Sequence, residues 1–192
     1  MKLAGVLLAA GAARRFGGPK LLESLPDGTP LGVAAARALR RAVPRALAVV
    51  RPEDHRLGRA LRAEGLTVIP CPRAHHGMGH SLAAGVRASA DAGGWLIALG
   101  DMPFVRWQTM AAVARALNDG APIALPSFRG RQGHPVGFGA EFGSALAGLT
   151  GDTGARTLLQ THAARVHRVP CEDSGIIRDV DTAADLARHT VP

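Results

Sequence analysis

The sequence contains no tyrosine, and phenylalanine and tryptophan bring its aromatic content to only 4% of 192 residues. Proteins that hold single-stranded nucleic acid stack bases on exposed rings, so this scarcity argues against a nucleic-acid partner. Cysteine is almost as sparse. Cys71 and Cys171 stand far apart, match no metal-ligand or redox spacing and make no disulfide framework, so a reducing, cytoplasmic setting is expected. No apolar run approaches the roughly 18 residues needed to cross a bilayer, and no membrane partner is expected. The formal charge of +8 comes from Lys and Arg spread along the chain and not from a basic tail. Repeats, linkers and low-complexity tracts are also missing, which leaves one domain spanning 1–192 as the expectation.

The opening stretch imitates a secretory signal, with Lys2 followed by an apolar run from Leu3 to Ala13. Arg14, Arg15, Gly17, Gly18 and Lys20 follow at once, so a buried strand from Met1 to Ala9 running into a glycine-rich loop is the preferred reading. Similar short apolar runs return at 45–50, 66–70 and 94–100. Helix-like segments alternate with them at 31–42, 53–63, 81–92 and 109–117. Strand alternating with helix predicts an α/β fold: a Rossmann-like three-layer sandwich with a mostly parallel sheet. Later segments read as strands at 121–127 and 134–139, a helix over 152–162, an edge strand at 164–170 and a closing helix over 182–189.

In such a sheet the ligand crevice lies outside the carboxyl ends of the strands. Four unusual segments fall there: "AAGAARRFGGPK" (9–20), "HHGMGHS" (75–81), "GDMP" (100–103) and "RGRQGHP" (129–135). The first lacks the G-x-x-x-x-G-K-[ST] order of a Walker loop and the G-x-G-x-x-G dinucleotide spacing. What remains is a turn of small residues (Ala9, Ala10, Gly11, Ala12) whose backbone amides can approach phosphates, with Arg15 and Lys20 as cations over it. Asp101 ends an apolar strand between Gly100 and Pro103, a placement suited to holding Mg²⁺ against phosphate oxygens; capping the next helix is the alternative. A second carboxylate is expected from Asp179 or Asp181, either of which could instead cap the helix near Thr182. The histidines of 75–80 fit no zinc spacing; Gly77, Gly79 and Ser81 suit nucleotide reading at a helix start. Arg129, Arg131 and His134 form a cationic loop suited to an acidic second substrate, with a mobile surface loop as the alternative, and Asp152 is expected to cap the following helix.

"LAAGAARRFGGPKLL" (8–22) resembles the L-A-A-G-x-S-x-R-[MF]-G-x-x-K-L-L signature of the MobA-like nucleotidyltransferases, in particular the molybdenum cofactor cytidylyltransferases. The likeness continues in family order through "GMGHSL" (77–82), "GDMPFV" (100–105), "GHPVGF" (133–138), "GDTGAR" (151–156) and "DVDTAADL" (179–186). Ala13 departs from the usual Ser. The resemblance implies a fold of the nucleotide-diphospho-sugar transferase type. It further implies nucleotide contacts along Leu8 to Ala12, at Gly77, Gly79, Ser81 and Gly100, and catalytic roles for Arg15, Lys20 and Asp101. Substrate contacts fall to Arg131 and His134, and magnesium to Asp101 together with Asp181, which the family's D-x-D-T pattern favours. The implied reaction is transfer of CMP from CTP to the terminal phosphate of molybdopterin or its molybdenum-loaded form, with release of pyrophosphate. Transfer from GTP, a sugar- or alcohol-phosphate acceptor, and a non-catalytic cofactor-binding chaperone are the alternatives. A molybdoenzyme or its chaperone is the expected recipient.

Overall fold

β1 (Leu3–Leu8) is buried along its whole length, as an apolar run covered on both faces must be. The computed structural model describes residues 2–11, 18–152 and 154–187. β1 pairs in parallel with β2 (Ala46–Val50) on one side and β4 (Gly94–Leu99) on the other, and β3 (Thr67–Pro70) adds beyond β2. β7 (Val136–Gly139) is reversed, antiparallel to both β4 and β5 (Ile123–Phe128). The short β6 (Arg131–Gln132) folds back on the end of β5, and β8 (Val166–Pro170) runs parallel to β5 at the sheet edge. The mostly parallel sheet and the edge strand therefore stand where the sequence put them.

Helices cover both faces because successive strand residues point to opposite sides. On one face Leu3, Leu7, Ala48, Val50, Leu96 and Ala98 meet α1 (Leu31–Ala42), α2 (His55–Ala63) and α4 (Trp107–Asn118). On the other, Ala4, Val6, Leu47, Val49 and Ile97 meet α3 (Met78–Arg87), Phe138, Phe142 and α5 (Gly143–Ala147). The expectation of a helix over 81–92 is corrected: α3 begins at Met78, immediately after Gly77 with φ 120°, and ends at Arg87. The expected 152–162 helix is the shorter α6 (Arg156–Thr161). Its N-cap is Ala155, without a side-chain cap bond, so Asp152 is not its cap. The closing helix is α7 (Ala183–Ala187) within the described residues.

One buried carboxylate clips the return segment onto this frame. Asp173, 3% exposed, accepts hydrogen bonds from the Arg106 amide (2.9 Å), the Thr109 hydroxyl (2.7 Å) and the Gly175 amide (2.9 Å). Further along, the Val180 amide donates to the Asp101 carbonyl at 2.9 Å while the Val180 side chain is fully buried. Chain beyond β8 is thereby laid across the carboxyl end of β4. Asp173→Ala strands two amides and a hydroxyl, and is expected to cost about 3 kcal/mol. A urea unfolding midpoint clearly below that of the unaltered protein is the outcome to check.

Candidate active site

The carboxyl ends of β1, β2 and β4 open into a cavity of about 330 Å³ lined by Leu8, Ala9, Gly11, Lys20 and Asp101, with Arg51 to Leu57 closing its far side (Pro52 excepted). Pro19 to Leu22 make the near wall, where Lys20–Leu22 form a single 3₁₀ turn. Gly100 lets the two central strand ends approach each other. Its amide donates to the Leu8 carbonyl at 2.9 Å, and a Cβ there would sit 3.2 Å from that same oxygen.

Lys20 is only 7% exposed, and its ammonium donates to Asp101 Oδ2 at 2.9 Å and to Asp181 Oδ1 at 3.3 Å. An ammonium leaves water at acceptable cost only against opposite charge, and two carboxylates need a cation between them. The three groups thus hold each other, with the carboxylates carrying one negative charge in excess. The capping alternatives for both aspartates fall away. α4 starts at Trp107 with Arg106 as its N-cap, well past Asp101. At α7 the Thr182 hydroxyl and the Asp185 carboxylate form a reciprocal capping box, in which Asp185 Oδ2 accepts from the Thr182 amide at 2.8 Å and the Asp185 amide donates back to Thr182 Oγ1 at 3.3 Å. Asp179 is exposed.

His134, two residues before β7, lies under the electrostatic influence of Asp101 and Asp179. Burial holds its imidazole below the ordinary value of 6.5, against the opposing pull of Asp101, the Ile97 carbonyl and Asp179. Its Nδ1 is shielded from solvent and has no hydrogen-bond partner among the described residues.

Other expected site residues stand apart. Arg131 is exposed on β6, at the hairpin tip, and does not line the cavity. Gly77 and Gly79 meet backbone: a Cβ on Gly77 would lie 2.3 Å from the Gly151 carbonyl oxygen, and the Gly79 amide already donates to that oxygen at 2.8 Å. Both glycines are accounted for by packing of the α3 start against residues 150–151. Ser81 is buried within α3, and Ala10 is buried beside the cavity-lining Ala9. Arg15 and Ala12, like Ala13, lie outside the described residues. Arg51, Glu53 and Asp54 were missed by sequence reasoning. Their one available signal was position, at the end of a parallel strand next to β1.

A scan of protein families matches residues 5–167 to the MobA-like NTP transferase domain. The chain belongs to the MobA-like NTP transferase family. Within it, similarity extends to the purine catabolism protein PucB of Bacillus subtilis (strain 168), 32% identical over 98% of this chain and 97% of that one. The nicotine blue oxidoreductase of Paenarthrobacter nicotinovorans is 30% identical over 96% of this chain and 94% of its own. Among solved structures, Rv0371c from Mycobacterium tuberculosis H37Rv is 27% identical, covering 98% of this chain and 96% of its own, with a TM-score of 0.83. A manganese complex of Rv0371c matches over the full length of both chains at 26% identity and a TM-score of 0.78. For the MobA-like chain described here, the family and the eight-stranded sheet establish a nucleotidyltransferase fold.

Two outcomes follow from this geometry. Lys20→Met removes the internal cation between Asp101 and Asp181, so Mn²⁺ should bind the nucleotide-free variant more tightly than the unaltered protein, read as loss of the free-ion electron paramagnetic resonance signal. The His134 shift has a definite sign: the unfolded chain takes up a proton near pH 6.5, before the folded one does. His134 therefore leaves stability unchanged above that pH and subtracts from it as the pH falls below. His134→Gln should lose less unfolding free energy than the unaltered protein between pH 7.5 and 5.5.

Proposed function

We propose that this protein transfers CMP from CTP to the terminal phosphate of molybdopterin, or of its molybdenum-loaded form. The observation that carries the reading is the meeting of Lys20, Asp101 and Asp181 beside the glycine turn at the strand ends. An acceptor phosphate oxygen attacks the α-phosphorus of CTP, a new phosphoanhydride bond forms, the bond to the β-phosphate breaks, and pyrophosphate leaves. Amides of the turn beyond Ala9 hold the triphosphate, and Lys20 transfers its contact to the charge that grows on the leaving pyrophosphate. Arg15 assists from the same loop. His134, held neutral, and Arg131 receive the acidic acceptor.

Two carboxylates that converge on one ammonium, with side chains 29% and 40% exposed, offer hard oxygen donors open to solvent. Among the described residues no third His, Cys, Asp or Glu joins them, so a bound ion would have to draw its remaining oxygens from phosphate and water, as magnesium prefers. Asp101 and Asp181 fit Mg²⁺, which would neutralise phosphate charge there. The manganese complex of Rv0371c supports a divalent ion by analogy. The cytidine preference rests on the likeness of "LAAG" (8–11) and "GHPV" (133–136) to the cytidylyl branch. A molybdoenzyme or its chaperone then takes the product.

A purified-protein screen of nucleoside triphosphates with molybdopterin and Mg²⁺, scoring pyrophosphate and dinucleotide, tests the proposal. CTP should give both products. Product from GTP alone reassigns the base, product only with a sugar or alcohol phosphate reassigns the acceptor, and no pyrophosphate under any condition leaves a cofactor-holding protein. Lys20→Ala should lower turnover by about 100-fold or more, and an unchanged rate removes Lys20 from the mechanism.

A further inference from the structure

The first peptide of the nucleotide turn is tied down from the neighbouring strand. β1 and β2 run side by side with Leu8 opposite Val49, and the Ala9 amide donates to the Val49 carbonyl at 2.9 Å. Two residues further along each chain a side chain takes over from the backbone: Arg51 Nη2 donates to the Gly11 carbonyl at 2.6 Å. The guanidinium is itself held in place. Nε lies 3.6 Å from Asp54 Oδ2 and Nη1 4.0 Å from Glu53 Oε1. Nε is also buried without a hydrogen-bond partner among the described residues. Only a planar fork can engage a carbonyl on one edge and carboxylates on another.

Gly11 supplies an independent observation. Among the described residues a Cβ there would meet nothing within 4 Å, so their packing does not require glycine. Its bare Cα faces open space in the cavity shared with Lys20 and Asp101, where a ligand can approach the backbone closely.

We propose that Arg51 is a positioning residue for the nucleotide turn: it fixes the orientation of the Gly11 carbonyl before the nucleotide arrives. This inference rests on the nucleotidyl-transfer reading above. A turn ordered in advance does not have to be ordered at the moment of binding, so Arg51 acts on triphosphate affinity more than on the chemical step.

Isothermal titration of the full-length protein with each Mg·nucleoside triphosphate, without acceptor, is the test. Arg51→Met should weaken the tightest-bound nucleotide by about tenfold. With acceptor present, KM for the nucleotide should rise by a similar factor while kcat changes far less. Low-millimolar guanidinium should restore much of the affinity to Arg51→Ala and do nothing for the unaltered protein, a response that a general packing defect would not give. Arg51→Lys, which keeps the charge without the fork, should fall between, and thermal unfolding confirms that each variant is folded. Undiminished binding by Arg51→Met, or loss in Arg51→Ala that guanidinium leaves untouched, overturns the inference alone. An unaltered protein that binds no triphosphate overturns the nucleotidyl-transfer reading and this inference with it.

Discussion

A buried ammonium with two carboxylates holds the functional end of this molecule together. Lys20 is separated by 81 residues from Asp101 and by 161 from Asp181, yet all three side chains meet within hydrogen-bond distance. Without the aspartates Lys20 would carry an unpaired charge in a largely dry position, and without Lys20 the aspartates would repel each other. The contact therefore fixes three separate pieces of chain: the turn after the nucleotide loop, the end of β4 and the return segment beyond β8. Asp173 and the Val180–Asp101 backbone bond supply the rigid approach that lets the last piece arrive in register.

Charge is distributed on two scales. The chain as a whole is basic by +8, which draws in polyanions without choosing among them. Where Lys20 meets Asp101 and Asp181, the carboxylates outnumber the ammonium. On the proposed nucleotidyl-transfer reading, such a local excess of carboxylate would suit a hard cation placed against phosphate oxygens. Arg51, at the end of β2, reaches across to the small-residue turn that follows β1.

Much of the fold was legible because internal parallel strands are buried on both faces and leave unbroken apolar runs; β1, β2 and β4 are found within a residue or two of those runs. Asp101 was legible for the same reason, as the carboxylate at such a run's end. The start of α3 was not, because glycines there look like ligand-reading residues when viewed alone. The Thr150–Gly151 backbone pressed against them adds a packing reason for glycine, whatever they contact besides. Asp152 carried every local mark of a helix cap, yet α6 starts later, at Arg156. Arg51 resembled any other arginine in a basic chain until the β1–β2 register set it beside Gly11.

By itself the amino-acid order determined the α/β alternation, the glycine turn after the first strand and the identity of the residue types at each strand end, since these depend on short-range periodicity and backbone preference. Which of those residues share one cavity was decided by tertiary structure alone. Pairing of Lys20 with Asp101 and Asp181, and of Arg51 with Gly11, depends on strand order and on a chain reversal, and charges separated by scores of residues carry no mark of their partners until folding brings them within a few ångströms.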